Sequence, residues 1–434
     1  MPAVGARTPM EFMMLDSRQR CATEFPELEG SLGSTHESVL QAACREVFPV
    51  RVALLTNFIP PYFLPVLREF SSMVSELHIF LSTRMEGNRD WQPHWDGLNV
   101  QVQKTFTTVL NRKHGLGFSS EYYLHLPYDT IARLRNCMPD VIISGQLGFR
   151  TFQSYCFNML RPKTALVAWA DLSEHTETGI GWFRRSLRKR LLCHSDAVLV
   201  NGQSGAKYVA QLRADSSRIV CMPFVRDMSD LLSIPLLRDR AAPERRLLYV
   251  GHLLEGKGVH LLLGALARWH RSNPNQSCEL SIVGDGPMRK ELEQLATVSG
   301  VKVRFLGSVP FERLRSVYAS ADIFVFPTLS DTWGVVVNEA LAAGMPVLGS
   351  QLSQAVNELV VDGRNGWIFR PDRSEEFDAR LFEALTTPPA VLYEMGRAGR
   401  VTVERLTPEF AAARMVHATQ VAHQAAIVRV RQGS

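Results

Sequence analysis

A chain of 434 residues, 46% of them apolar, exceeds what one hydrophobic core usually organises and predicts two domains of ordinary size. Its 48 Lys and Arg against 43 Asp and Glu leave a formal net charge of +5, too modest for a nucleic-acid binder. With no apolar run of about 20 residues to span a bilayer, no basic-then-apolar N-terminus, and seven cysteines that form no C-x2-C pair, it is expected in the cytosol with reduced thiols, and neither a zinc site nor a disulfide framework is indicated.

Residues 1–48 carry polar clusters, Met10, Met13 and Met14 and no sustained apolar period, which predicts an extension with little fold of its own. From Arg51 the character changes. Short β-rich runs follow at 52–56, 77–81, 141–144, 165–169, 197–200 and 219–222, separated by segments long enough for helices. Near-continuous apolar strands alternating with helices predict a parallel sheet covered on both faces, here assigned to a first domain over 49–230. A polar stretch closed by Pro243 is the expected linker, 231–243. The pattern then restarts at 247–251, 280–284, 303–307, 322–327, 347–350 and 366–369, with helical segments such as 259–269 between, and gives a second domain over 244–406. Right-handed crossovers force each series into its own sheet, so the predicted class is α/β with two Rossmann-like, doubly wound domains. Thr407-Pro408-Glu409 reads as a helix start, with Thr at the cap and Pro at the first helical position, and predicts a last helix over 407–434.

One basic segment stands out within the first domain. Trp182, Phe183, Arg184, Arg185, Leu187, Arg188, Lys189, Arg190, Leu191 and Leu192 place apolar residues at helical spacing among cations. Such a helix either rests on an anionic membrane surface, each basic residue adding about 1 kcal/mol, or is an ordinary surface helix with a solvated basic face.

Ligands in doubly wound folds bind beyond the carboxyl ends of the strands, which directs attention to the loops there. Between 327 and 346, Asp331 falls at a turn and Glu339 about two turns into the following helix, both able to accept hydrogen bonds from sugar hydroxyls. Between them the amides near Thr332, Trp333, Gly334 and Val335 face a helix start, where donors lack internal partners and suit a phosphate. The alternative is that Asp331 or Thr332 merely caps the helix and Glu339 is solvated. Gly251 to Gly258 follows the first strand of the second domain, where glycines admit a phosphate and Lys257 offers a compact positive charge. His252 in the same loop, with an ordinary pKa of about 6.5, is only partly charged at neutral pH. Gly284-Asp285-Gly286-Pro287 is either a wall of a nucleotide pocket or a plain turn, and the backbone at Gly307 to Pro310, including Val309, could meet a base. In the first domain, Asp171, Glu174, His175 and Glu177 follow the strand at 165–169, while the loop Asn57-Phe58-Ile59-Pro60-Pro61-Tyr62 holds no glycine.

The Asp331/Glu339 spacing resembles the E-x7-E corner of glycosyltransferase family 4, the large retaining GT-B family, with Asp331 in place of the usual first glutamate. The rest of the C-terminal half reads in family order: Leu-Leu-Tyr-Val-Gly-His-Leu-Leu-Glu-Gly-Lys-Gly at 247–258, Ser-Ile-Val-Gly-Asp-Gly-Pro at 281–287, Val-Arg-Phe-Leu-Gly at 303–307, and Asn-Glu-Leu-Val-Val-Asp-Gly-Arg-Asn-Gly-Trp at 357–367. The resemblance implies a GT-B fold, two lobes across a cleft, with the last helix returning to the first lobe. It implies a basic pair at the 251–258 loop, where Lys257 matches the second member and His252 stands where arginine is usual. It also implies a group near Asp171 or His175 facing the transferred sugar. The implied activity is transfer of a sugar from a nucleoside-diphosphate donor to a carbohydrate or lipid-linked acceptor. Anomeric retention and independence of metals or other cofactors are part of the same implication. The setting would be surface polysaccharide or glycolipid synthesis, on the inner face of the membrane or free of it. A non-catalytic GT-B partner subunit that binds nucleotide sugar, and a nucleotide-sugar epimerase or phosphorylase, are the alternatives.

Overall fold

The computed structural model describes residues 47–87, 89, 94–236 and 244–432. The expected extension lies outside the described residues up to position 46, and the expected linker from 237 to 243. In chain order the elements used below are strand β1 Phe48–Thr56, helix α1 Leu64–Ser72, β2 Val74–Leu81, β3 Asn99–Val102, β4 Thr105–Lys113, β5 Ser119–Pro127, β6 Val141–Gly145, β7 Ala165–Ala170, α2 Trp182–His194, β8 Ala197–Val200, α3 Gln203–Gln211 and β9 Ile219–Cys221. There follow β10 Arg245–Val250, α4 Val259–Ser272, β11 Cys278–Val283, β12 Lys302–Gly307, β13 Ile323–Phe326, α5 Val335–Ala342, β14 Val347–Ser350, α6 Gln354–Leu359, β15 Gly366–Phe369 and α7 Pro408–Gln432.

Two parallel sheets result, ordered β3-β2-β1-β6-β7-β8-β9 and β12-β11-β10-β13-β14-β15. In each, the order reverses beside the first strand, between β1 and β6 and between β10 and β13, so the crevice that a doubly wound sheet opens at its switch point occurs once per lobe. The apolar runs form the sheet centres: Ala53, Leu54 and Leu55 in β1 and Leu248 and Tyr249 in β10 are wholly buried. Helices cover both faces and supply the second layer of each core.

Helix α7 starts where cap chemistry predicts. The Phe410 amide donates to Thr407 Oγ1 at 3.2 Å, and Pro408, which has no N–H to lose, opens the helix. It packs on α1 and on β7 and β8 of the first sheet, and Arg414 Nε donates to the Cys221 carbonyl at 2.8 Å. A second junction of the lobes lies at α3. The Gln203 amide donates to Glu358 Oε1 at 2.5 Å and the Gly205 amide to Gln354 Oε1 at 2.9 Å, so side chains of α6 occupy the first-turn donors of a first-lobe helix.

Strand β3 and the antiparallel ribbon β4–β5 were not anticipated. Their faces are half exposed and their sequence, Thr105-Phe106-Thr107-Thr108 onward, alternates without a buried run. A two-stranded ribbon is marginal alone. This one is docked by its turn: Phe118 is buried, stacks on His114 at 4.2 Å, and lies so close to Gly256 that a Cβ there would come within 2.6 Å of its ring.

Candidate active site

Glycines set the floor of the second lobe. The loops after β10 and β11 touch backbone to backbone: the Gly251 amide donates to the Val283 carbonyl at 3.0 Å, the Gly284 amide to Gly307 at 2.8 Å, and a Cβ on Gly284 would stand 2.0 Å from the Gly251 oxygen. Gly284-Asp285-Gly286-Pro287 therefore acts as a close-packed turn that braces the 251–258 loop, with the Leu253 amide on the Asp285 carbonyl at 2.9 Å. At the loop's other end Gly258 has φ +70° and lies against the Pro327 carbonyl. That approach carries Lys257 to the corner after β13, where its Nζ meets Asp331 Oδ2 at 2.5 Å and lies 6.0 Å from the Phe326 ring centre.

The corner itself is built by Asp331 and Gly334. Asp331 Oδ1 accepts the Trp333 amide at 3.1 Å, so that amide serves the turn, and Gly334, with φ +103°, caps α5. The Trp333 ring is core: it is buried, and its Nε1 donates to Asn338 at 3.0 Å. The amides of Gly334 and Val335 remain at the helix start, where α-helical geometry gives them no acceptor. Glu339 is 7% exposed rather than solvated. Its Oε1 accepts from Arg226 at 2.9 Å and its Oε2 from the Tyr318 hydroxyl at 2.6 Å, and Arg226 also reaches Asp230 at 2.8 Å. Burial pulls the Arg226 guanidinium down, but Glu339 and then Asp230 more than offset it and hold it above its ordinary value. Burial and Glu339 likewise drive the Tyr318 phenol well up. Each carboxylate oxygen has a second lone pair, so a Glu339 fixed in this way can still accept from a hydroxyl.

The first lobe faces this corner with a cavity of 340 Å³, lined by the apolar Phe58, Ile59, Pro61 and Phe63 and by the polar side chains of Gln146, Arg89, Asp171 and Glu339. Asp171 accepts from Asn201 at 2.6 Å. Burial pushes its pKa up to about 6; the Asn201 hydrogen bond opposes this, the Asp331 charge adds to it, and a hydrogen bond with Thr332 opposes it again. Thr332 and Asp171 thus join the two lobes at the site. Tyr62 stands at the meeting point: burial raises its phenol, and the charges of Asp171, Arg89, Asp331 and Glu339 all act on it. His252 Nε2 lies 3.1 Å from Arg89 Nη1, and burial, then Arg89 and Lys257, lower its pKa, so it is largely neutral at pH 7.

Of the residues singled out from sequence, Asp171 and Glu339 line this cavity. Asp331 and Thr332 act on Asp171, Lys257 pairs with Asp331, His252 lies beside Arg89 of the lining, and Gly334 and Val335 open the helix that carries Glu339. Gly251 and Gly284 shape the floor of the second lobe, and Trp333 supports the corner from the core. His175 is exposed and does not line the cavity. Val309 follows β12, half-buried, and does not line it either. Arg226, Tyr318 and Arg89 were missed, and Tyr62 was named only as the last residue of a loop without glycine. Arg226 follows β9 and Arg89 follows β2, both in loops that the strand-end rule covers; Tyr318 gave no local signal.

Residues 244–387 match the family described as glycosyl transferases group 1, about a third of the chain. An uncharacterized glycosyltransferase of Methanocaldococcus jannaschii is 38% identical over 130 residues, 29% of this chain and 32% of that protein. The D-inositol 3-phosphate glycosyltransferase of Nocardia farcinica is 28% identical over 253 residues, 52% of this chain and 53% of that one. The chain thus spans about half or less of the curated relatives it matches. HepE from Anabaena, solved in complex with UDP, has a TM-score of 0.64 at 17% identity, covering 85% of this chain and 99% of HepE. The fold is GT-B, two Rossmann-like domains with parallel sheets, and the match to group 1 glycosyl transferases falls within the second lobe.

Proposed function

We propose that the chain is a glycosyltransferase that moves a sugar from a nucleoside-diphosphate donor to a hydroxyl of a carbohydrate or lipid-linked acceptor, with retention at the anomeric carbon and without a metal. The observation that carries this reading is the meeting of Lys257, Asp331, the start of α5 and Glu339 with Asp171 of the opposite lobe in one cleft. The group 1 match and the UDP complex of HepE support a nucleotide-sugar donor.

In this reading the departing diphosphate gains charge beside Lys257 and the Gly334 and Val335 amides, donors already in place and stronger toward the transition state than toward bound substrate. Glu339, held by Arg226 and Tyr318, accepts the ribose hydroxyls, and Asp331 those of the sugar. Asp171 lies on the acceptor side, where its carboxylate orients the incoming hydroxyl. The proton of that hydroxyl passes to a diphosphate oxygen as the new bond forms on the face the leaving group vacates. Closure of the lobes excludes water, the competing acceptor. Helix α2 exposes Trp182 and Phe183 beside Arg184 and Arg185, which suits a peripheral contact with an anionic membrane and a lipid-linked acceptor, as in surface polysaccharide or glycolipid synthesis.

The test is a panel of UDP- and GDP-sugars, assayed for donor hydrolysis and for transfer to candidate acceptors, with calorimetry of the free nucleotides. Turnover with an α- or β-product matching the donor supports the reading. Binding without turnover would make the chain a partner subunit. A changed sugar without acceptor, or transfer to free phosphate, would make it an epimerase or phosphorylase.

A further inference from the structure

Three basic side chains meet in the cleft, and one comes from the opposite lobe. His252 and Lys257 belong to the loop after β10; Arg89 belongs to the segment after β2, and its Nη1 lies 3.1 Å from His252 Nε2. Arg89 also lines the cavity, as Asp171 and Glu339 do, and acts electrostatically on Tyr62. Arg89 and Lys257, cations of opposite lobes that both act on His252, concentrate a positive potential that an anion bound between them would relieve. A neutral imidazole can accept from the guanidinium, whereas two cations at that distance cannot pair. A guanidinium offers a rigid fork of donors that matches two phosphate oxygens, which the single ammonium of Lys257 does not.

We infer that Arg89 is a diphosphate-binding residue contributed across the cleft, completing with Lys257, His252 and the α5 amides a pyrophosphate site shared by both lobes. The inference rests on the donor reading above and adds to it that the donor's charge itself draws the first lobe onto the second. A nucleoside lacking the diphosphate would not engage Arg89, so the residue selects for the diphosphate over the base.

The experiment is calorimetry of the full chain with UDP, GDP and the parent nucleosides, for wild type, Arg89→Gln, Arg89→Lys, and Arg89→Gln combined with His252→Arg. Arg89→Gln is expected to weaken the diphosphate by about 10- to 100-fold, the range of a lost charge-assisted contact, and to leave nucleoside binding unchanged. Arg89→Lys should recover part of the loss. His252→Arg should recover more, because it delivers a guanidinium to the same spot from the other wall. If Arg89→Gln binds the diphosphate as wild type does, or loses nucleoside and diphosphate equally, Arg89 has no such role even though the donor reading survives. If wild type binds no nucleoside diphosphate, the donor reading fails and takes this inference with it.

Discussion

Replacing Arg226 by Met leaves Glu339 as a carboxylate in the interior with only the Tyr318 hydroxyl to serve it. Arg226 is 1% exposed at its side chain and Glu339 9%, with nitrogen and oxygen 2.9 Å apart. Taking charge centres about 4 Å apart and an effective dielectric of about 20, the attraction is about 4 kcal/mol. That agrees with the roughly 3–5 kcal/mol lost when one partner of a buried pair is removed. Asp230, the other partner of Arg226, has a side chain 35% exposed, so water screens its loss. We therefore expect Arg226→Met to lower unfolding stability by about 3–5 kcal/mol, read from urea transitions followed by tryptophan fluorescence. The combination Arg226→Met with Glu339→Gln removes the stranded charge and keeps an acceptor for Tyr318, so it should be more stable than Arg226→Met alone. This change of sign is the decisive result. A double variant less stable than Arg226→Met by the full cost of Glu339→Gln would mean that the two charges do not interact, and the placement of Glu339 would be wrong.

Other perturbations follow from the same geometry. Gly258→Ala forces a Cβ onto the Pro327 carbonyl at φ +70°; the left-handed backbone alone costs about 1–2 kcal/mol, and the clash must displace the loop that carries Lys257. An unchanged melting temperature would contradict it. Asp171 has a folded pKa of about 6, above its unfolded value of about 3.9, so its contribution to stability is fully present below about pH 3.9 and is lost as pH rises through about 6. The stability of wild type minus that of Asp171→Asn should accordingly fall by on the order of 2–3 kcal/mol across that window, and a flat difference would show that Asp171 is not buried in the folded protein. Trp182 and Phe183, 81% and 69% exposed, should be required for flotation with vesicles rich in anionic lipid. Replacing both by Ser should abolish it, and equal flotation of the variant would remove α2 from the membrane contact.

The parts of the fold that sequence revealed are those set by local chemistry. Strands β8, β14 and β15 coincide with their apolar runs because they are buried on both faces nearly throughout, so that even Ser350 at the end of β14 is enclosed. Helix α7 begins at Pro408 because the cap and the missing N–H are both properties of adjacent residues. Gly258 and Gly334 occupy positive φ, where their residue type alone was the clue. The ribbon β4–β5 escaped because exposed alternation is weak evidence in a chain whose other strands are continuous apolar runs. In the site, the backbone corner at 327–335 was legible and its ionic partners were not. Glu339 was legible as a hydroxyl acceptor but not as the partner of Arg226, 113 positions earlier, and His252 as the companion of Lys257 but not of Arg89, 163 positions earlier. No periodicity links such residues, since what joins them is the packing of one sheet's loops against the other's. They were nevertheless within reach of topology. Arg226 and Arg89 both follow first-sheet strands at their carboxyl ends, so a rule that collects every charged residue from every such loop, in both lobes, would have paired the right loops before any distance was known.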